Sequence, residues 1–422
     1  GGRQVLDVIV RDADGATLEW GSVTFEVAKY FANSLRGVAQ FTRKYSDEYR
    51  ADGAKVGDTV KVRLPQQFEV SEGDALVLQN LLDRTVNLIL NRRRHVGFGW
   101  SSVQETTDLD DIRTRYVMPA AETLASAYDR VSLADVYKSV FNMVGTLGTT
   151  PSAALTFGQA KVKIQDFAGP DTGLKAVLEP LAHITLADAH KALFHPGSLI
   201  SGATKTGMIG QELLGIGEWY TDQNIPRFTS GAATSASTPL VNGASQTGSS
   251  IITDGWGSGA SALKKGDIVT FAGVRSVNPV SKESTGRLHQ FVLTADVSDT
   301  TGAITLSISP SIVTSGPLQN VDAGPADNAT VTFWGMAAGG TQAATVSPQN
   351  LVFHPEAFAT VMADLVMPNG GATGTRVNSK SLNIAIRYVE QYTITDDQNL
   401  NRLDILFGNA PIQERMACRV AG

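Results

Sequence analysis

Between Thr24 and Gln40 apolar residues recur every three to four positions, and Phe25, Ala28, Phe31, Ala32, Leu35 and Val38 fall on one side of a helix. The short apolar stretch from Val5 to Val10 ahead of it reads as an arm. From Val56 to Leu64 the period drops to two, that of a half-exposed strand, and Pro65 ends the run. Thr85 to Leu90 and His95 to Trp100 are two further strand-like runs, and the basic patch Arg92, Arg93 and Arg94 between them predicts a long ribbon with a polar turn. An isolated pair of strands is marginal in water, so a ribbon this polar needs a partner surface.

Asp108, Asp110 and Asp111 place carboxylates at the start of the longest helical pattern, where Ile112, Tyr116, Ala120, Leu124 and Tyr128 recur near four-residue spacing. Pro119 lacks an amide donor and should begin a new segment or kink this helix. A second helix is expected at Leu133 to Val144, ended by Gly145, Gly148 and Pro151. Leu174 to Glu179 and His183 to Phe194 predict a strand leading into a helix before Pro196. Ile268 to Phe271, Phe291 to Thr294, Ile304 to Ile308 and Val331 to Trp334 are short β-rich runs between turn residues, a spacing that suits a small barrel. Helical periodicity returns at Pro355 to Leu365. Ser381 to Tyr392 then alternates as a strand up to the acidic turn Asp396 and Asp397, and Arg402 to Phe407 is a final strand.

Composition sharpens this division. Residues 229–345 hold only 12 Asp, Glu, Lys and Arg in 117 positions but 15 of the 41 glycines, the mark of an inserted domain. At 422 residues the chain exceeds one hydrophobic core, and 42% hydrophobic with 18% charged residues describes a globular protein. A net charge of −6 argues against a main task of gripping nucleic acid, which needs clustered cations. The single cysteine, Cys418, rules out an internal disulfide and a multi-cysteine zinc site, and fits a reducing compartment. No apolar run approaches the ~20 residues that cross a bilayer. The opening Gly1-Gly2-Arg3 has no initiator Met and reads as a chain numbered after a leader.

Candidate chemistry is thin. Arg92, Arg93, Arg94 and His95 could hold phosphate, but a charge run at a ribbon tip more often pairs with carboxylates or stays solvated. His183, His190 and His195 follow no zinc-ligand spacing. Gly202 to Gly207 imitates a phosphate loop, yet Met208 stands where the lysine should follow the second glycine. Helix capping accounts for Asp108, Asp110 and Asp111 more simply than a catalytic cluster does, and Asp396 with Asp397 reads as a solvated turn before a cation site. No Ser-His-Asp or Cys-His arrangement can be assigned.

Trp219 to Thr229 before the β-rich insert, and Asn350 to Phe358 after it, resemble tailed-phage coat proteins. The ending is closer still: Ile386 to Tyr392, Asp396-Asp397, Arg402 to Gly408 and Cys418 to Val420 are similar to the coat-protein family of the short-tailed Salmonella phages. Leu263 to Val274 resembles that family's entry into its extra barrel. The resemblance implies an α+β Hong Kong 97-like capsid fold: N-terminal arm and helix (1–50), extended β-hairpin loop (51–105), spine helix and peripheral domain (106–160), first part of an axial domain (161–228), inserted β-barrel domain (229–345), and the C-terminal axial and peripheral part (346–422). It also implies a major capsid protein without catalytic, cofactor or metal sites. Hexamers and pentamers of one chain would close an icosahedral head around double-stranded DNA, which is held without sequence-specific contacts. Assembly would proceed in the bacterial cytoplasm with a scaffolding protein and a portal at one vertex, leaving open a decoration protein. In the extended loop Lys61, Arg63, Arg92, Arg93 and Arg94 are the expected inter-subunit contacts.

Two rivals remain. A bacterial nanocompartment shell shares the fold and encloses an enzyme, but the β-rich insert and the ending favour the phage. A secreted polysaccharide-active enzyme with a β-rich module would need a carboxylate pair that the sequence does not offer.

Overall fold

The structure, a computed structural model, describes residues 9–11, 17–45, 59–74, 76, 78–79, 83–107, 113–190, 214–232, 239–256, 262–298, 303–335, 343–368, 372–379 and 384–422. It is a strand-rich α+β chain in two compact units. Among the described residues no helix is long and apolar enough to cross a membrane.

The first unit takes residues 1–62, 87–132 and 359–410. Its sheet runs Phe358–Ala363, Gln398–Pro411, Ile384–Thr393, Thr373–Ser379, and Arg92–Ser101 pairs antiparallel with Gln398–Pro411. The helix Trp20–Ser34 packs on Thr373–Ser379 and Ile384–Thr393. It starts earlier and ends earlier than the periodicity predicts, because the buried Asp129 carboxylate accepts the amides of Arg36 and Val38, each at 2.8 Å, and bends the chain into the 3-10 turn Val38–Gln40. Of the predicted face, Ala28, Phe31, Leu35 and Val38 are buried. Tyr128 is the hub of this core: Phe31 stacks on it at 6.1 Å, Phe407 meets it edge-on at 4.6 Å, and its hydroxyl shares a 2.6 Å hydrogen bond with Thr360.

The long helix spans Met118–Val136, with Pro119 in its first turn and the π turn Arg113–Val117 before it. The expected capping by Asp108, Asp110 and Asp111 lies outside the described residues. No second helix forms at Leu133 to Val144. The long helix continues to Val136, a 3-10 turn covers Tyr137–Ser139, and Met143–Gly145 is a strand, pulled out straight by parallel pairing with Ala417–Ala421. Pro355 to Leu365 is also not helical: after the turn Pro355–Ala357 it is the strand Phe358–Ala363, buried on both faces, and such a run carries no period that separates strand from helix.

The second unit takes residues 63–86, 133–358 and 411–422. One sheet is ordered Met143–Gly145, Ala417–Ala421, Val346–Phe353, Lys175–Leu178, Glu218–Thr221, with Arg227–Thr229 also on Val346–Phe353. The helix Ala154–Asp166, which the sequence reading missed, covers it with Phe157, Ala160 and Ile164, and Pro180–His190 adds Leu186. The expected continuation of that second helix to Phe194 lies outside the described residues. A second sheet is antiparallel throughout, in the order Leu240–Val241, Gly248–Asp254, Ile304–Ile312, Phe291–Leu293, Ile268–Phe271, Val331–Phe333. All four β-rich runs expected there are strands of it. Its core is its own, with Trp256, Phe271, Phe291 and Phe333 fully buried or nearly so, and a bridge between Leu240 and Thr330 joins its two outermost strands. The chain enters and leaves this region side by side: Thr229 is the register partner of Val346, the Ser230 amide donates to Thr345 O at 3.0 Å, and the Thr345 amide returns to Ser230 Oγ at 3.0 Å.

The two sheets of this unit are joined by specific polar contacts in an apolar seam of Phe141, Met143, Phe167, Ile268 and Val292. Gln290 accepts the Met143 amide and donates to the Met143 carbonyl, both at 2.9 Å, and Trp334 Nε1 donates to Gly145 O at 3.2 Å. The fully buried Arg419 donates to Gly266 O at 2.9 Å. His289 is fully buried between Phe291, Phe167 and Phe141, at ring separations of 4.4, 5.3 and 5.6 Å. Burial lowers its pKa to about 3, so it is neutral in the folded chain.

This makes the seam acid-sensitive. An unfolded histidine titrates near 6.5, so between about pH 6.5 and 3 the unfolded chain binds the extra proton. Stability from this group is complete above that window and declines as pH falls through it, by ~5 kcal/mol at most. Urea titrations of wild type and His289→Leu across the window should show a shallower pH slope for the variant; equal slopes would contradict this assignment.

Candidate assembly surface

Two surfaces of the chain leave backbone or apolar groups without a partner among the described residues. The first is the edge strand Arg92–Ser101. Its full length pairs with Gln398–Pro411, from Ser101 opposite Gln398 to Arg92 opposite Phe407. Among the described residues its other edge has no strand partner. Arg92, Arg93 and Arg94 therefore lie inside a strand, where the ribbon reading had placed a turn, and Thr85–Ile89 pairs instead with Thr59–Arg63. Gly408 permits this layout, since a Cβ there would collide with the Ile89 carbonyl oxygen.

Cross-strand register explains the charges. Asp404 sits opposite Arg387 on one side and His95 on the other, with Arg93 one diagonal away. Its buried carboxylate accepts from Arg387, from Arg402 Nε at 2.6 Å and from Arg93 at 3.1 Å. Desolvation pushes its pKa up, but the hydrogen bonds from Arg387, Arg402 and Arg93 outweigh this and hold it below the ordinary carboxylate range. Arg93 is thus committed within its own subunit, and Arg94 donates to Arg93 O at 2.9 Å. Charge along an open edge also opposes indiscriminate strand pairing.

The second surface is the hairpin arm. Thr59–Arg63 buries Val60 and Val62 and exposes Lys61 and Arg63, which have no ion pair among the described residues. Beyond it the described residues between 64 and 84 are clasped by Leu64 N to Arg84 O at 2.8 Å, Gln66 to Asp83 at 3.2 Å, and a reciprocal pair between Gln79 and the Glu69 backbone. The tip turns at Gly73, whose φ of +100° suits glycine. Phe68 is 59% exposed, Val70 87%, Leu76 85% and Leu78 84%. Four large apolar groups on an arm with little core beneath them form the patch that a partner would bury. The sequence reading missed them, although Phe68 and Val70 before Glu72-Gly73-Asp74, and Leu76 and Leu78 after it, carry the alternation of a hairpin.

The remaining candidates stay apart. Asp397 accepts from Ser102 Oγ at 2.5 Å and Tyr392 OH at 2.8 Å; these hydrogen bonds hold it below the usual carboxylate range, so it is a turn anchor. Burial lowers the His183 pKa, while the His190 side chain, His195 and Gly202 to Gly207 lie outside the described residues. Among the described residues no group of three His, Cys, Asp or Glu could hold a metal ion.

Removing the shared carboxylate should be costly. Asp404→Asn leaves three guanidinium groups around a neutral amide, and we expect a loss of about 3–5 kcal/mol in chemical denaturation of the subunit at neutral pH. The wild-type advantage should be full above the ordinary carboxylate range and vanish as pH falls below it, because protonation removes the same charge.

Matches among solved structures include the capsid of Ralstonia phage GP4, 9% identical over 91% of this chain and 87% of that one, with a TM-score of 0.45. A Mycobacterium phage Che8 structure is 13% identical over 92% of this chain and 90% of that one, with a TM-score of 0.41. The CUS-3 coat protein I-domain is 28% identical over 23% of this chain and 96% of its own, with a TM-score of 0.19. No curated protein matches the sequence. The family model described as P22 coat protein, gene protein 5, matches residues 26–419, nearly the whole of both units, and the chain therefore belongs to the P22 coat protein family.

Proposed function

We infer that this coat protein is the major capsid subunit of an icosahedral phage head, and that its hexamers and pentamers enclose double-stranded DNA. The observation that carries the reading is the arm: Phe68, Val70, Leu76 and Leu78 are exposed where a second copy of the chain would cover them. Repetition of one such contact around a closed lattice gives a shell from individually modest interfaces.

In this reading the chain follows the Hong Kong 97 plan. The arm is the extended loop within residues 51–105, Met118–Val136 is the spine helix, and residues 229–345 form an inserted domain. The bridge from Leu240 to Thr330 supports a barrel, and the adjacency of Ser230 and Thr345 supports an insertion. Lys61 and Arg63 on the arm, with Arg92 and Arg94 on the open edge strand, are the cations we assign to inter-subunit contacts; Arg93 contributes mainly through Asp404. Assembly in the host cytoplasm with a scaffolding protein, a portal vertex and, where present, a decoration protein completes the proposal. The family match favours a genome-enclosing head over an enzyme-enclosing shell.

Val70→Asp combined with Leu78→Asp tests the arm. The double variant should fold with wild-type circular dichroism and remain a small species in sedimentation, where wild type forms polyhedral shells in electron micrographs. Normal shells from the variant would remove the arm from the mechanism.

A further inference from the structure

A cleft of about 850 Å³ opens in the second unit between helix Ala154–Asp166 and the β-rich sheet. Val162, Leu288, Phe333 and Trp334 give it apolar walls, and Thr156 and Gln159 add neutral polar groups. Among the described residues the only charged side chains lining it are Lys163 and Arg287, and no carboxylate faces it. Asp166, which acts on Lys163 at longer range, is bound by Arg287 at 2.6 Å. Lys163 has no hydrogen bond or ion pair among the described residues, and burial holds its ammonium below the ordinary lysine range. Lys163 is half-buried with no carboxylate in direct contact, and a carboxylate brought from outside offsets its desolvation.

We propose that this cleft docks an acidic peptide segment of a partner protein, a glutamate or aspartate pairing with Lys163 while an apolar side chain lies against Trp334 and Leu288. Charge complementarity selects the partner: of the two cations lining the cleft, Arg287 is already paired with Asp166, and Lys163 has no carboxylate in direct contact. Apolar walls beside a single uncompensated cation suit a segment that carries both an acidic and an apolar side chain. Nucleic acid is the poorer fit, because phosphate affinity comes from rows of cations and this cleft has two among apolar walls.

The test uses full-length subunit and a short fluorescein-labelled peptide alternating glutamate and leucine, followed by fluorescence anisotropy. The glutamate peptide should bind, and its glutamine counterpart should bind about tenfold or more weakly. Lys163→Met should lose binding to the same degree and Lys163→Arg should retain it. Affinity should fall as pH rises through the lowered lysine pKa, before exposed lysines titrate. If Lys163→Met does not fold, acylation of Lys163 in the wild-type chain, read by mass spectrometry, should be slowed by the glutamate peptide alone. Equal binding of both peptides, unchanged acylation, or displacement by an equimolar single-stranded oligonucleotide would overturn the proposal.

Discussion

Backbone continuity constrains the second unit at one point, where Thr229 and Val346 pair and the Ser230 and Thr345 backbones hydrogen-bond. A long excursion from a sheet keeps the sheet intact only if its ends return to neighbouring positions, and these two do. Everything between them is then free to satisfy its own core, with inward Ile304, Leu306 and Ile308 alternating against outward Thr305 and Ser307. Two ends alone would leave a hinge. Gln290 on Met143 and Trp334 on Gly145 turn the hinge into a seam by satisfying backbone groups that the neighbouring sheet leaves over, and His289 packs its ring among Phe141, Phe167 and Phe291 beside them.

The first unit solves a different problem, an open sheet edge in a protein made to associate. The arginines near that edge draw on Asp404, which neutralises part of their charge and orients Arg387 and Arg402 along the sheet. The edge is therefore charged without being disordered by repulsion, and it discourages pairing with arbitrary strands. The arm does the reverse and presents apolar side chains to solvent. In the proposed assembly, the first surface would exclude wrong partners while the second rewards the right one.

Much of this was legible in the sequence where one face is buried and the other wet. Val60 and Val62 flanking Lys61, and the runs Ile304–Ile308 and Val331–Phe333, alternate with a period of two and form strands as expected. Phe358–Ala363 is buried on both faces and has no period to read. Met143–Gly145 is short and shaped by distant partners, Gln290 and Ala417–Ala421. Arg92 to Arg94 looked like a turn because polar runs usually are, yet an edge strand tolerates them when a buried carboxylate waits across the register. The segments that carry the family resemblance before and after the insert are largely strands of one sheet: Glu218–Thr221, Arg227–Thr229, Val346–Phe353 and Ala417–Ala421. Of these, Val346–Phe353 and Ala417–Ala421 are largely buried, and close-packed interior positions accept few substitutes.

The bare apolar tip of the arm also sets a clock. A newly made copy offers Phe68, Val70, Leu76 and Leu78 to any greasy surface in a crowded cell, so its useful lifetime shortens as its concentration rises. On the proposed role of the arm, synthesis and consumption must keep pace, and the growing shell would be the sink that keeps the free pool small.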